Sequence, residues 1–428
     1  DLAEASDEDL LRGIAEMAAE DSTYWFGSAV KLGLSRVMDP VFDKLLKSLF
    51  RFALPKPTPG SSSFLRGFES KALDAQADME ALADTIRAVA PLRKRVVNTA
   101  ADQLLDILKA SPNGYAVLDG IQHYLDTYGH QIYNLDFVAP TQNEDPLPVL
   151  LSLKALVQSP PEQAVRTRQA QMAEERDALV AQTERNLNPV SRRIFCWFWK
   201  WTKHYAPYRE YVMFYMGAAW PTVRKLAVEL GGRLTAAGVI ASPDDIYYLT
   251  GDEITEVIAA RASSQTMPDF IQLTQERRDL REARKLLTPQ PVVPARGEIK
   301  LGPINMSMFS PTPADAVNVG AVLNGYAVST GSVIAPASVI HAIADFDQMQ
   351  PGSILVATTT TPAWTPLFSQ AAGLVTDVGG ALAHGSIVAR EYGIPAVMGT
   401  GVATVRIQSG QQVLVDGDAG TVTLLEES

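Results

Sequence analysis

The pattern of apolar residues changes once along this chain, at a segment with six prolines between Leu287 and Pro313. Before this segment, apolar residues recur at three- and four-residue spacing, which is typical of amphipathic helices. After it they alternate with polar residues or form short runs separated by Gly and Asp, which predicts strands joined by turns and helices. The sequence therefore predicts a multi-domain protein with a mostly α-helical body over residues 1–286, a Pro-rich linker over 287–314 and a compact α/β domain over 315–428.

Local signals predict where several helices begin and end. Ser6 followed by Asp9 is a variant of the capping box and predicts a helix start. Pro91 is expected to kink or divide the helical pattern of residues 69–108, because proline lacks an N–H and clashes with the preceding turn. Gly129 is expected to end the helical run that precedes it.

Composition and charge exclude several classes of partner. The formal net charge of −11, with Lys and Arg dispersed along the 428 residues, gives no basic surface for nucleic acid or an anionic membrane. Cys196 is the only cysteine, which excludes an internal disulfide framework and fits a reducing compartment. No apolar run reaches the roughly 18 to 20 residues that span a bilayer. We therefore expect a cytoplasmic protein, and because the sequence begins at Asp1 rather than Met, we expect that upstream residues are missing from it.

His384 lies where local signals predict the start of a helix. Residues 373–377 form a short apolar run typical of a strand, and the Gly-Gly pair at 379–380 favours a tight turn. Residues 386–392 follow a helical pattern that stops at Gly393. Unpaired N–H groups and the helix dipole at such a start would stabilise a phosphate on the ring. We expect the imidazole to be exposed in the turn, either as an ordinary surface residue or as a nucleophile.

The residues around His384 also resemble a known motif. The run from 379 to 401, GGALAHGSIVAREYGIPAVMGTG, closely resembles the phosphohistidine, or swivelling, domain of the phosphoenolpyruvate-utilising enzymes. The resemblance implies that His384 is the catalytic nucleophile that becomes phosphorylated. It also implies that four residues of the motif position the phosphate: Gly380, Gly385, Ser386 and Arg390. Ala383 departs from the motif, because the family usually has Ser or Thr at this position.

The resemblance extends beyond the histidine motif. Residues 352–368 are similar to the stretch that enters the core of this domain, and residues 410–422 are similar to its closing hairpin. Residues 124–146 and 205–249 resemble the region between the nucleotide-binding and histidine domains of rifampin phosphotransferase-like members. Asn134 lies where an acidic residue is common in those members.

Two parts of the longer family members are not recognisable in this sequence. It contains no GxxxxGKS/T loop or ATP-grasp pattern, and no stretch that resembles the barrel for phosphoenolpyruvate or pyruvate. This arrangement resembles the histidine-bearing subunit of phenylphosphate synthase-type enzymes. The resemblance implies that an ATP-grasp partner subunit, or a missing domain, binds Mg-ATP and phosphorylates His384 with release of AMP and phosphate. This chain itself would bind no cofactor, and the acceptor would be the hydroxyl of a small phenolic or other aromatic substrate.

Two other functions fit the same motif. One is an antibiotic phosphotransferase of the rifamycin type whose nucleotide domain lies outside this sequence. The other is a phosphocarrier that passes the phosphoryl group to another protein and has no small-molecule substrate. The Pro-rich linker is either a passive connector or a tether that lets the histidine domain visit a donor and an acceptor in turn.

Phosphoryl transfer to a hydroxyl requires a base, for which the sequence offers two candidates. His130 follows a helical run, where the negative end of the helix dipole is expected to raise its pKa. Asp136 is the second candidate, and a structural hydrogen-bonding role is the alternative for both. None of the five histidines has metal-ligand spacing such as HExxH, and no CxxC is present, so we expect no metal site in this chain.

The run from Arg193 to Tyr205 is unusually aromatic. Side chains at helical spacing in and beyond this run predict a stripe packed in the core. The stripe comprises Ile194, Phe198, Trp201, Tyr205 and Tyr208. The alternative is a pocket for a flat apolar substrate. The candidates for the lining of this pocket are Trp197, Trp199 and Tyr211.

Overall fold

The structure of the chain is a computed structural model. It describes residues 2–56, 59–133, 136–158, 165–205, 207–263, 265–285, 287, 300–301, 304–305, 320–361, 364–380 and 383–425. The predicted linker 287–314 therefore lies almost entirely outside the described residues. Within it, β1 (Lys300–Leu301) pairs with β2 (Ile304–Asn305) as a short antiparallel ladder. The role of the linker as a tether stays a prediction.

The part of the chain before the predicted linker is helical, as the spacing of its apolar residues predicts. The helices are α1 (Asp7–Lys47), α2 (Lys71–Arg87), α3 (Ala90–Asn98), α4 (Leu104–Lys109), α5 (Gly114–Tyr128), α6 (Leu147–Gln158), α7 (Val165–Asn186), α8 (Pro189–Tyr205), α9 (Tyr208–Tyr215), α10 (Trp220–Ala236), α11 (Gly251–Ala262) and α12 (Ile271–Lys285). Short 3-10 turns connect several of them.

Helix boundaries follow the local signals. Ser6 and Asp9 form a reciprocal capping box, in which the Asp9 N–H donates to Ser6 Oγ over 3.1 Å and the Ser6 N–H donates to Asp9 Oδ2 over 3.4 Å. Pro91 lies in the first turn of α3, where a proline removes no helical hydrogen bond, so it divides the pattern of residues 69–108 into separate helices. Gly129 is the C-cap of α5, as predicted.

The chain forms two compact units. The smaller unit comprises residues 1–27, 134–141 and 216–297, and the larger unit comprises residues 28–133, 142–215 and 298–428. In the smaller unit, Leu10 of α1 packs in one apolar cluster with Leu230 of α10 and Val257 of α11. The larger unit contains α2 to α9 together with the α/β domain. Each unit combines three separate segments of the chain and so does not test boundaries between consecutive domains. The predicted domain boundaries stay a prediction.

The α/β domain is built on one mixed sheet. Its strands are β3 (Val322–Asn324), β4 (Tyr326–Ser329), β5 (Ser332–Ile340), β6 (Ile354–Ala357), β7 (Gly373–Thr376), β8 (Ala396–Met398), β9 (Gln412–Asp416) and β10 (Thr421–Leu424), and its helices are α13 (Thr365–Phe368), α14 (His384–Tyr392) and α15 (Ala403–Arg406). The sheet order is β3-β10-β9-β5-β6-β7-β8-β4. Strands β5 to β8 run parallel, and the flanking pairs are antiparallel. A mostly helical body followed by a compact α/β domain is therefore the fold class, as predicted.

The histidine motif follows a central strand of this sheet. Val375 of β7 lies opposite Val356 of β6 and Val397 of β8, and all three side chains are buried. The chain leaves β7 and enters α14, which ends at Gly393 with a left-handed φ of 67°. The strand, the helix and its glycine stop confirm the local predictions around His384. Connections after parallel strands gather at the carboxyl edge of a sheet, which is where ligands bind in such folds.

The aromatic run forms α8, but its buried face is not the predicted stripe. Phe195, Trp199 and Thr202 are buried, whereas Ile194 and Trp201 of the predicted stripe are 37% and 38% exposed. The buried face belongs to a cluster with Phe42 of α1 and Val180 of α7. Since α8 carries apolar residues at helical spacing on two faces, only the position of its neighbours decides which face is covered.

Candidate active site

His384 is the first residue of α14 and is buried in the larger unit, with only 3% of its surface exposed. The expectation that its imidazole is exposed in a turn is therefore wrong. The ring contacts α9 of the helical body through Glu210 and α13 of the α/β domain through Thr365. Local signals placed the residue at a helix start, but a distant helix covers it.

The two ring nitrogens of His384 have different partners. Nδ1 lies 3.3 Å from Oε2 of Glu210, and Nε2 lies 3.3 Å from Oγ1 of Thr365. An ionised carboxylate only accepts hydrogen bonds, so the ring donates from Nδ1 and its lone pair is on Nε2. The Thr365 hydroxyl suits this tautomer, because it can donate to Nε2. In this tautomer Nε2 is the ring nitrogen with an available lone pair, and the role of His384 as nucleophile stays a prediction.

Glu210 is a functional candidate that the sequence did not reveal. It lies in the first turn of α9, and only 5% of its surface is exposed. Its Oε1 atom is buried and has no hydrogen-bond partner among the described residues. A carboxylate is removed from water at a substantial cost, which marks this position as functional. The available signal was a single acidic residue between two tyrosines of a short apolar helix, Tyr208 and Tyr211.

The predicted phosphate-binding turn is largely occupied by its own hydrogen bonds. The Ser386 hydroxyl donates to the Gly380 carbonyl over 2.7 Å, and the Ala383 N–H donates to the same carbonyl over 2.8 Å. The Ser386 and Ile387 N–H groups donate to the Ala383 carbonyl. The Ser386 N–H is therefore paired within the turn, and the Ile387 bond is the ordinary first backbone bond of α14. The dipole of α14 still favours negative charge beside His384.

Two further residues predicted to position phosphate have clear packing roles. A Cβ at Gly385 would lie 2.6 Å from Oγ1 of Thr360, so only glycine fits there. Arg390 is buried, and its Nη1 donates to the Val328 carbonyl of β4 over 3.4 Å. Contact of Gly380, Gly385, Ser386 and Arg390 with a phosphate stays a prediction.

His130 lies against α9, but its environment differs from the predicted one. Its Nε2 donates to the Phe214 carbonyl over 2.9 Å, and its ring lies edge-on to the Phe214 ring at 4.8 Å. Burial lowers the pKa of His130, although hydrogen bonds to the carbonyls of Phe214 and Thr127 oppose this shift. The expected rise from the helix dipole is therefore wrong, because burial of the charged ring outweighs it.

Asp136 belongs to the smaller unit, whereas His384 belongs to the larger one. The Asp136 carboxylate pairs with the Arg281 guanidinium of α12 and accepts the Val138 N–H over 3.1 Å. These bonds give Asp136 a structural role in its own unit. Its role as a base stays a prediction.

The residues proposed to line an aromatic pocket do not converge. Trp199 is buried, with its ring centroid 6.3 Å from that of Phe42. Trp197 is 55% exposed and contacts Trp201 edge-on at 6.2 Å. Tyr211 is half-buried on α9, the helix that carries Glu210. Of the three, only Tyr211 lies on an element of the site.

Within the described part of the chain, no three or more His, Cys, Asp or Glu side chains are grouped to hold a metal ion. The described helices also include none long and apolar enough to cross a membrane.

Two family models match the regions that meet at His384. The mobile domain of the PEP-utilising enzymes matches residues 349–420, which contain β6 to β9 and α14. The α/β part of this chain therefore belongs to the mobile-domain family of the PEP-utilising enzymes. The fourth domain of rifampicin phosphotransferase matches residues 43–210, which end at Glu210. The histidine and its carboxylate partner therefore come from two separately matched regions of this family.

Several curated proteins are similar to between about half and four fifths of the chain. Rifampicin phosphotransferase from Streptomyces sviceus is 32% identical over 357 residues, which cover 80% of this chain and 38% of that protein. The protein of the same name from Bacillus subtilis is 30% identical over 354 residues, which cover 80% and 38%. Prodigiosin synthesizing transferase PigC from Serratia marcescens is 38% identical over 204 residues, which cover 47% and 22%. The chain thus spans less than two fifths of the length of these relatives.

Proposed function

We propose that this chain is part of a phosphotransferase and carries a phosphoryl group on Nε2 of His384 to the hydroxyl of a small aromatic acceptor. The observation that carries the proposal is the position of His384 at the start of α14, with Glu210 at one ring nitrogen and Thr365 at the other. A carboxylate on Nδ1 holds the proton there and leaves the Nε2 lone pair for phosphorus. The family and the names of its relatives support group transfer.

In the first step an ATP-grasp part, on a partner subunit or in a segment outside this sequence, would hold Mg-ATP. Nε2 of His384 attacks the β-phosphorus, the bond from this phosphorus to the oxygen of the α-phosphate breaks, and AMP leaves. Water then releases orthophosphate and leaves phosphohistidine. The start of α14 stabilises the negative charge on the ring through its dipole.

In the second step the acceptor oxygen attacks the phosphorus in line. The P–N bond breaks and its electron pair returns to Nε2 of His384. Glu210 acts on the leaving-group side of this step: Oε2 stabilises the protonated Nδ1, so that a neutral imidazole leaves. The proton of the acceptor hydroxyl goes to an oxygen of the transferred phosphoryl group.

A second acceptor class follows from the relatives. The proteins named rifampicin phosphotransferase align with 80% of this chain, so a rifamycin-type antibiotic is the alternative to a simple phenol. Both acceptors carry hydroxyl groups on a flat or bulky apolar frame, and both are therefore included in the test.

Chemical phosphorylation tests the proposal without the nucleotide-binding part. Phosphoramidate transfers its phosphoryl group to imidazole nitrogen with loss of ammonia. We expect the chain to take up an acid-labile, base-stable phosphate that is lost in His384→Ala and kept in the matched control His341→Ala, an exposed histidine of the same domain. The phosphorylated chain is then incubated with phenol or rifampicin, and the phosphorylated product is measured.

Label that persists on His384→Ala would overturn the assignment of the nucleophile. If phosphorylated His384 transfers its phosphoryl group to another protein and to neither acceptor, the chain is instead a phosphocarrier. Binding of Mg-ATP by this chain alone with micromolar affinity, measured by calorimetry, would contradict the need for a separate nucleotide-binding part.

A further inference from the structure

A second carboxylate of α14 is bound to the helical body. Glu391 lies seven residues after His384, so the two side chains lie on the same face of α14 and about 10 Å apart along its axis. Both oxygens of Glu391 accept the Gly67 N–H, over 2.8 Å and 3.1 Å. Only 5% of the residue is exposed. The phosphoryl transfer mechanism makes no use of this buried carboxylate.

The loop that presents Gly67 is fixed on α7. Gly67 has a φ of 69°, and a Cβ there would lie 2.4 Å from the Ala173 backbone N. Arg176 of α7 donates to the carbonyls of Gly67 and Arg66 over 2.9 Å and 3.0 Å. Gly67 is thus a backbone donor held in one place, and only glycine has the conformation and the space for it.

Other contacts surround this bond. Arg168 of α7 donates to the Tyr392 carbonyl over 3.2 Å, at the end of α14. The charged groups that face Glu391 are Arg390 on its own helix, Arg176 on α7 and Glu210 on α9. Burial raises the pKa of Glu391 to about 7, with a smaller contribution from Glu210, while the Gly67 hydrogen bond and the two arginines oppose the shift.

We propose that Glu391 is a positioning residue that latches the histidine helix onto the helical body through Gly67, and thereby holds His384 against Glu210. The contact itself does not depend on the proposed function. Its purpose rests on that function, because the latch would keep phosphohistidine at the acceptor position. Release of the latch exposes His384, so that the ring can be phosphorylated. The latch therefore favours transfer of the phosphoryl group to the acceptor over phosphorylation of His384.

Two measurements on the full chain test the latch without any acceptor. Hydrogen exchange reports the protection of the Gly67 amide, and diethylpyrocarbonate modification reports the exposure of the His384 ring, whose side chain is 1% exposed when docked. In Glu391→Ala we expect both rates to rise by about five- to tenfold, the effect of losing one hydrogen bond to a neutral group. Exchange at Val375 of β7 should stay unchanged, which shows that the fold is intact.

Asp418→Ala is the matched control. Asp418 Oδ2 accepts the Gly331 N–H over 3.0 Å, so this change removes a carboxylate–glycine bond that lies wholly inside the α/β domain. It should leave the Gly67 and His384 rates at the parent values. Equal acceleration in Asp418→Ala and Glu391→Ala would overturn the latch, as would unchanged rates in Glu391→Ala.

Glu391→Gln tests the charge separately, since an amide oxygen still accepts the Gly67 N–H. The folded pKa of Glu391 lies above its ordinary value of 4.5, so the latch is strongest below about pH 4.5 and weakens as pH rises to about 7. The protection factor of Gly67 should fall over this window in the parent and stay flat in Glu391→Gln. The same slope in both proteins would contradict the assignment even if Glu391→Ala fails to fold.

Experiments with phosphoramidate distinguish the latch from the proposed function. In Glu391→Ala, phosphorylation of His384 should be faster, and phosphoryl transfer from His384 to phenol or rifampicin should be slower. If the Gly67 and His384 rates respond as expected but neither acceptor is phosphorylated, the latch stands and the acceptor assignment fails.

Discussion

His384 and His130 both contact α9, one turn apart, yet the helix offers them different partners. His384 faces the Glu210 side chain, whereas His130 donates to the Phe214 backbone carbonyl and packs against the ring of the same residue. A carboxylate can hold or take up a proton, but a backbone carbonyl only accepts a hydrogen bond. The two imidazoles therefore have different surroundings: the His384 ring lies against a carboxylate, and the His130 ring is buried against Phe214.

The comparison shows that burial affects the proton affinity of an imidazole more than its place on a helix does. His130 follows the end of α5 and was expected to gain proton affinity from the dipole, but burial lowers its pKa. The dipole effect is typically below about 1 kcal/mol, and burial of a charged ring costs more.

The largest expected effect tests the carboxylate side of the comparison. Glu210→Gln keeps the size of the side chain but removes the charge beside Nδ1. We expect transfer from the phosphorylated chain to phenol or rifampicin to fall by about 10²- to 10⁴-fold, because an amide no longer stabilises the Nδ1 proton of the leaving imidazole. Single-turnover measurement of product gives the rate.

Glu184→Gln is the control for this change. Glu184 lies on α7 and contacts the Cys196 thiol, so the variant removes one negative charge outside the site. It should transfer at the parent rate. A Glu210→Gln chain that transfers as fast as this control would remove the chemical distinction between the two histidines.

The His130 side of the comparison predicts a change in stability without a loss of transfer. His130→Phe keeps a flat ring but leaves the Phe214 carbonyl without its donor, which is expected to cost about 1 kcal/mol in the free energy of unfolding. Denaturant melts would measure this loss. Abolished transfer in a folded His130→Phe chain would restore His130 as the base.

The same variant carries a pH signature. Because the folded pKa of His130 lies below its ordinary value of 6.5, the unfolded chain binds the proton more readily. The contribution to stability is present above about pH 6.5 and is lost as pH falls through the folded pKa. Melts of His130→Phe should lack this part of the acid destabilisation, and an identical pH slope in parent and variant would contradict the burial argument.

The smallest effect concerns the N-cap position of α14, which carries no hydroxyl. Ala383 is the N-cap of α14, with the extended φ and ψ of −68° and 151° that suit a capping side chain, but it makes no side-chain cap bond. Ala383→Ser should raise the free energy of unfolding by about 1 kcal/mol. Ala383→Val, which cannot cap, should give no gain in denaturant melts; an equal gain from both would show that capping is not the cause.

The sequence predicted the parts of the site that depend on neighbours along the chain. The strand before the histidine, the helix after it and the stop at Gly393 all follow from residue types within about 20 positions. The local pattern also separated the helical body from the α/β domain. Local residue types also predicted the capping box of Ser6 and the division of the helical pattern at Pro91, which lies in the first turn of α3.

The residues that the sequence did not predict are set by contacts between distant segments. Glu210 lies 174 residues before His384, and Gly67 lies 324 residues before Glu391. Neither partner carries a local signal of its contact. The prediction of which face of α8 is buried was wrong for the same reason. Phe195 and Trp201 both have helical spacing, and only the position of α1 and α7 determines which of them is buried.

The contacts that join the α/β domain to the helical body have a geometric consequence. The Thr361 hydroxyl donates to the Tyr133 carbonyl over 3.1 Å, from a segment of the α/β domain outside α14, which carries His384 and Glu391. Two points along one axis leave a rigid body free to rotate about it, and a third point off the axis removes that rotation. A domain that returns to these three points can present the phosphorus to the acceptor in only one orientation, as in-line displacement requires.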